Sequence, residues 1–274
     1  MSKTQPRNVT YVDILLEKGQ EELLPETFYE LAGKGIWLEE QGNHVLIKCY
    51  PHDPDSFLRN LRSSRLPVIT VNVEQEEHKD YAELTQKYFK PIRIGDITIR
   101  APWNKRSAHR QEIVIEPGMA FGTGRHESTR IMIKLMGYPD FKGKKILDIG
   151  CGSGILALYA SVLGAGEVYA IDNDPDAVAN AQKNASLNGA SAIRIACARL
   201  EDITGVFDIV LANIDIKTFS AYSDKVSRLA GKDGLILVSG ILRKNKDQLL
   251  HLFPGWNLAQ YEQKNSWCGF LLTK

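Results

Sequence analysis

Apolar positions along this chain follow two different periods, and the sharpest change from one to the other falls in Lys145–Ala160, KILDIGCGSGILALYA. Ile146 and Leu147 carry an apolar run that ends at Asp148, and Gly150, Gly152 and Gly154 then follow at intervals of two. Beyond them Ile155, Leu156, Leu158, Tyr159 and Val162 recur at the spacing of a buried helix face. The pattern predicts a strand, a tight turn and a helix. Downstream it predicts a strand at Glu167–Ile171, a helix at Asp176–Leu187 stopped by Asn188-Gly189, and a short strand at Ile193–Ala196. A buried strand at Phe207–Asn213, a strand at Leu235–Ser239, a helix at Lys244–Phe253 and a last strand at Trp267–Leu272 complete the series. Strands that alternate with helices in this way predict an α/β, Rossmann-like, mainly parallel sheet.

The N-terminal third reads differently. Val9–Leu16 is β-branched and apolar, and Glu21–Leu31 carries Leu23, Leu24, Phe28 and Leu31 at helical spacing before Gly33 and Gly35. Ile36–Glu39 and His44–Tyr50 flank Gln41-Gly42-Asn43 as a hairpin, Asp55–Arg62 is a short helix pattern, and Pro67–Val73 alternates as a strand. The order βαββαβ is the ferredoxin-like arrangement of a small α+β domain. The expected organisation is a recognition domain at 1–75, a linker and strand pair at 76–104, and a second domain at 105–274. Glu74–Tyr88 is charged and weakly periodic, as an exposed linker would be, and Tyr88–Trp103 reads as two strands around Gly95-Asp96.

Composition narrows the function. A net charge of +1 leaves no electrostatic footprint for nucleic acid or an anionic membrane. The four cysteines, Cys49, Cys151, Cys197 and Cys268, form no C-x-x-C pair, which argues against zinc and against a disulfide framework. Neither a secretory h-region nor a membrane-length apolar run occurs, so a cytoplasmic protein is expected, without direct nucleic-acid or membrane partners and acting as a monomer.

The glycine turn is G-x-G-x-G with an acidic residue two positions ahead, not the G-x-G-x-x-G of dinucleotide sites. Glycine lets the backbone turn sharply and come close to a ligand. Asp172 ends the next strand about 20 residues on, where a carboxylate reaches the two hydroxyls of a ribose; Asp174, followed by Pro175, is the better candidate for the helix cap. A second glycine-rich stretch, Ile113–Thr129, reads as an irregular loop against a ligand, leading into a helix at 128–136 that Thr123 or Ser128 would cap. Gly124-Arg125-His126 lacks the Gly-Lys-Ser/Thr of a P-loop.

The form D-x-G-x-G-x-G resembles the first motif of class I methyltransferases that use S-adenosylmethionine. Met119–Arg130 (MAFGTGRHESTR) with Ile146–Leu156, the stretch from Ser239 and the closing WCGFLL resemble the bacterial ribosomal protein L11 methyltransferase family over nearly the whole chain. The resemblance implies a class I methyltransferase fold, S-adenosylmethionine as cofactor and a large-subunit ribosomal protein as substrate. It further implies that Phe121, with Gly122 and Thr123 in the same loop, packs on the cofactor and that Thr129 contacts it. Gly150 and Gly152 would approach the methionyl part, Asp172 would hold the ribose, and Asn213 would stand between cofactor and substrate nitrogen. One departure stands out: Asn213-Ile214 is followed by Asp215-Ile216 where the family has Leu-Ala. That carboxylate would either attract a cationic amine, pointing to another protein-lysine substrate, or cap the next helix. A cofactor-binding protein without catalysis is the reading from a different class.

Overall fold

The computed structural model describes residues 8–24, 28, 31–32, 36–51, 53–64, 66–77, 89–106, 111–116 and 124–274. The chain divides into two compact units, 1–87 and 88–274.

The first unit is a four-stranded antiparallel sheet. Strand β1 (Asn8–Glu17), the hairpin of β2 (Ile36–Gln41) and β3 (His44–Cys49), and β4 (Val68–Glu77) lie in the order β2-β3-β1-β4, as βαββαβ connectivity requires. Helix α1 (Pro54–Ser63) starts on Asp53, whose carboxylate accepts the Ser56 N–H at 3.0 Å, and buries Phe57 and Leu61. Val12, Ile14, Leu16, Val45 and Ile47 close the core beneath. Of the helix expected at 21–31, Gln20–Leu23 form a 3-10 turn and much of the rest lies outside the described residues. The acidic run from Glu74 to Glu77 is strand rather than linker, because β1 pairs with it residue by residue and the Tyr11 hydroxyl donates to the Glu74 carboxylate. The remainder of the expected linker, 78–88, lies outside the described residues.

The second unit is built on seven strands: β8 (Lys145–Ile149), β9 (Glu167–Asp172), β10 (Ile193–Cys197), β11 (Ile209–Asn213), β12 (Leu235–Leu242), β13 (Asn257–Lys264) and β14 (Trp267–Thr273). Their order is β10-β9-β8-β11-β12-β14-β13; the first five are mutually parallel, and β14 alone runs the other way, pairing antiparallel with both β12 and β13. Strand order reverses between β8 and β11, so the chain leaves a crevice there at the carboxyl ends. Parallel strands are buried on both faces. On one face Ile146, Leu211 and Leu237 pack with α2 (Glu127–Leu135) and α3 (Ile155–Val162). On the other, Leu147, Val210 and Val238 pack with Phe219 and Val226 of α5 (Ile216–Ala230) and Leu249 of α6 (Lys246–His251). Helix α4 (Pro175–Leu187) joins β9 to β10.

A small sheet precedes this core: β5 (Ile92–Ile94) and β6 (Ile97–Arg100) form the expected pair, and β7 (Gln111–Val114) adds parallel to β6. The buried Arg100 guanidinium meets the Glu112 carboxylate at 3.0 Å across that junction. At the far side of the large sheet, a Cβ on Gly269 would lie 2.5 Å from Ile131 Cγ2 and 2.8 Å from the Val238 carbonyl oxygen. Helix α2 therefore sits directly on the β14 backbone. Gly269→Ala is expected to cost about 1–3 kcal/mol through overpacking, measured by urea unfolding; unchanged stability would show that α2 has room to move away.

Candidate functional site

Register fixes which residues share the carboxyl edge. Ala212, Ile149 and Ile171 lie side by side on β11, β8 and β9, so Asn213, Gly150 and Asp172 follow one step on as a row. Ser239 pairs with Asn213 and Cys197 with Asp172, extending it in both directions. At about 4.8 Å per strand, the strands that carry Asp172 and Asn213 stand about 10 Å apart, with the glycine turn between them.

The turn has three left-handed residues, Gly150, Gly152 and Gly154, at φ 67°, 52° and 78°, a conformation that costs glycine least. The Cys151 N–H bonds the Ile171 carbonyl at 2.9 Å and the Gly154 N–H bonds the Cys151 carbonyl at 2.8 Å. A Cβ on Gly150 would stand 2.9 Å from Ile214 Cγ2, so no side chain fits between the turn and the residue after Asn213. Asp172 is tied to the same turn. Its carboxylate accepts the Gly152 N–H at 2.9 Å and the Asp174 N–H at 3.1 Å, and it is half-buried. Asp174 caps α4 by accepting the Asp176 N–H at 2.9 Å, with Pro175 in the first turn.

Helix α3 begins at Gly154, which has no side chain to cap it. Asp148 supplies the missing acceptor from inside the sheet: its Oδ2 takes the Ala157 N–H at 3.1 Å, and its Oδ1 is buried without a partner. Complete burial pushes the Asp148 carboxyl up to about 7; the Ala157 bond opposes this and the nearby Asp172 carboxylate adds to it. Two carboxylates thus flank one turn, one fully buried and one half-buried.

Asn213 ends β11 with its Oδ1 buried and unpartnered. Gly240 makes room for it. A Cβ at Gly240 would lie 2.6 Å from the Ile214 carbonyl oxygen and 3.1 Å from Asn213 Oδ1. In α2, Thr129 is fully buried and its Oγ1 is likewise unpartnered. Phe121, Gly122 and Thr123 lie outside the described residues.

One expectation about a helix end changes. His126, not Ser128 or Thr123, caps α2: its Nδ1 faces the Ser128 hydroxyl at 2.8 Å and accepts the Ser128 N–H at 3.3 Å, and its ring packs edge-on against Trp267. Burial lowers its pKa, with Glu127 opposing. Asp215 is the N-cap of α5, accepting the Lys217 and Thr218 N–H groups at 2.8 and 3.0 Å and the Thr218 hydroxyl at 2.8 Å. Burial raises its pKa, but these bonds outweigh that and leave it below the usual carboxylate range. Glu201 accepts from Arg199 at 3.0 Å and from the Tyr222 hydroxyl at 2.6 Å, a surface arrangement.

Sequence reasoning missed Asn180, Asn184 and Asn188, which hold the Val114–Glu116 backbone against α4. Their i, i+4, i+8 spacing on a helix expected to be amphipathic was the available signal. Among the described residues there is no group of three or more His, Cys, Asp or Glu that could hold a metal ion, and no helix long and apolar enough to cross a membrane.

Residues 14–274 match the model of the ribosomal protein L11 methyltransferase family. A ribosomal protein L11 methyltransferase of Clostridium perfringens is 34% identical over 248 residues, 84% of this chain and 79% of that protein. One from Caldanaerobacter subterraneus is 33% identical over 273 residues, 91% of this chain and 88% of that protein. The crystal structure of a ribosomal protein L11 methylase from Lactobacillus delbrueckii superposes with a TM-score of 0.64 at 25% identity, covering 68% of this chain and 99% of that one.

The Asp148 environment predicts a pH signature. Its folded pKa is raised, so its neutral form is favoured by folding, and that contribution is lost as pH rises from the ordinary 3.8 to about 7. Asp148→Asn is expected to gain stability relative to the wild type across this window in urea titrations at stepped pH. A constant difference would mean that Asp148 does not titrate there.

Proposed function

Since the chain belongs to the ribosomal protein L11 methyltransferase family, we propose that it transfers methyl groups from S-adenosylmethionine to amino groups of large-subunit ribosomal protein L11, on lysine side chains, the N-terminus or both. The observation that carries the reading is the edge row itself: a carboxylate, a turn that starts on a glycine and an unpartnered amide oxygen, in that order, across the point where strand order reverses.

The cradle fits such a cofactor. Asp172 keeps lone pairs beyond the two N–H groups it accepts, enough for two ribose hydroxyls. Gly150 and Gly152 let the backbone approach a methionyl chain, and the buried Thr129 hydroxyl lacks a partner that a ligand would supply. Phe121, Gly122 and Thr123 are proposed to complete the contact. S-adenosylmethionine supplies a methyl on a cationic sulfur, which leaves as a neutral thioether.

What the protein adds is position and dryness. A lysine ammonium has no lone pair, and at an ordinary pKa near 10.4 it must give a proton to water before attack. Asn213 Oδ1 then accepts an N–H of the neutral amine and turns its lone pair toward the methyl. Gly240, where a Cβ would lie 3.1 Å from Oδ1, leaves that oxygen its space. An amide suits this role better than a carboxylate, which would stabilise the ammonium and slow deprotonation.

Asp215, the residue that pointed to another target, is occupied at the α5 N-terminus, which favours the ribosomal substrate. The first unit, with no clustered catalytic groups among its described residues, would hold that substrate. The same proposal has the chain act as a monomer in the cytoplasm.

Labelled methyl transfer to purified ribosomal proteins, resolved by mass spectrometry, tests the reading; label confined to L11 is the expected result, and cofactor binding without transfer would favour a non-catalytic binding protein. Asn213→Ala is expected to slow transfer about 100-fold, losing an interaction worth ~2–3 kcal/mol in the transition state, with cofactor affinity within a few-fold. Asp172→Ala is expected to weaken S-adenosylhomocysteine binding by about 10- to 100-fold in calorimetry, as charged hydrogen bonds of ~1.5–3 kcal/mol are lost. Unchanged affinity would remove Asp172 from the ribose.

A further inference from the structure

Helix α4 presents an amide ladder. Asn180, Asn184 and Asn188 stand four residues apart, so their side chains rise by about 6 Å per step along one face. Two residues of extended chain advance about 6.6 Å, close enough for helix side chains to act as a strand's hydrogen-bonding partner. Val114 and Glu116 use that match. Asn188 accepts the Val114 N–H at 2.8 Å and donates to its carbonyl at 2.7 Å, while Asn184 Oδ1 accepts the Glu116 N–H at 2.8 Å and Asn180 donates to the Glu116 carbonyl at 3.4 Å.

Asn184 does one thing more. Its Nδ2 donates to the Ser153 carbonyl at 2.9 Å and to Asn180 Oδ1 at 3.3 Å, so the fully buried amide has a partner for each N–H and for its oxygen. Ser153 is the residue between Gly152 and Gly154 of the turn. Ala181, one helical turn before Asn184 on the same face, lies where a Cβ on Gly154 would be 3.1 Å away. Helix α4 thus backs the turn by contact and by the hydrogen bond from Asn184 to the Ser153 carbonyl.

We propose that Asn184 is a positioning residue for the cofactor site, clamping the glycine turn between α4 and the extended chain at Glu116. Three consecutive alternating glycines have more freedom than any other backbone to lose on ordering. Asn184 removes part of that freedom before a ligand arrives, so less is lost on binding. Asn188 holds Val114 and donates to the Asn184 backbone carbonyl at 2.7 Å, but makes no bond to the turn itself. The inference rests on the turn being the S-adenosylmethionine site.

The test measures binding rather than turnover. Wild type, Asn184→Ala and Asn188→Ala are compared for S-adenosylhomocysteine affinity by calorimetry, for Tm, and for amide hydrogen exchange at residues 150–154. Asn184→Asp serves as a second variant, since it keeps the acceptor for Glu116 and loses the donor to Ser153. The expected result is that both Asn184 variants bind about tenfold or more weakly and exchange faster at the turn, while Asn188→Ala, at a comparable loss of Tm, binds within about twofold of wild type. If the Asn184 and Asn188 variants lose affinity alike, in step with Tm, or if neither loses any, Asn184 is only a structural clip and the proposal fails while the cofactor reading stands. If the wild type itself binds no S-adenosylhomocysteine, the cofactor reading fails and the positioning role with it.

Discussion

The hydrogen bond from the Gly152 N–H to the Asp172 carboxylate, 2.9 Å long, joins the ends of two adjacent parallel strands and sets what each can present. On the β8 side the chain must reverse at once from strand to helix, which three left-handed glycines allow. On the β9 side a carboxylate must stop short of the following helix, whose cap is supplied separately by Asp174. Had one aspartate served both purposes, its lone pairs would have been consumed by the helix. The division of labour between Asp172 and Asp174 leaves the former available to a ligand.

Burial then separates the two carboxylates that flank the turn. Asp148 sits on the α3 face of the sheet, completely enclosed, and is coupled to the protein through one N–H. Asp172, half-open, is bonded by two N–H groups. The first works on the fold, closing the N-terminus of a helix that starts on a glycine; the second works at the surface of the crevice. Their proximity also limits them. A second full negative charge in the same low-dielectric pocket is unfavourable, and this is one reason the buried carboxyl is held up near neutrality.

Much of this was legible in the chain. The periodicity located β8, β9, β11 and β14 and the hairpin of the first unit within a residue or two, because each is bounded by glycine, asparagine or aspartate and has a strong apolar run. The glycine spacing and Asp172 marked the crevice for the same reason. What stayed hidden has physical causes. Strand β13, NLAQYEQK, is an exposed edge without alternation, and it is specified by its partner β14 rather than by its own pattern. Strand β7 was hidden within a glycine-rich stretch, since the Val114 backbone at its end is bonded by the side chain of Asn188, 74 residues away. The acidic end of β4 is strand only because β1 lies beside it. His126 as a cap could not be foreseen from composition, because its role depends on the Trp267 ring against it.

The orphaned atoms complete the argument. A buried polar atom without a partner costs about 1–3 kcal/mol, a large fraction of ordinary stability, and a sheet that is apolar on both faces has little reason to carry several. Yet Asp148 Oδ1, Asn213 Oδ1 and Thr129 Oγ1 are all buried and unpartnered. Two of them belong to strands that meet at the reversal of strand order, and the third to the helix that packs on β12 and β14. Substituting apolar groups of similar shape would remove the cost and stabilise the chain on its own. For Asn213 and Thr129 the stability forgone in the free protein is recovered when a ligand donates to their oxygens, whereas Asp148 serves the N-terminus of α3. The same balance accounts for Asn184: a turn of three left-handed glycines must be held in shape from outside, and a helix amide with both N–H groups and its oxygen bonded is suited to hold it.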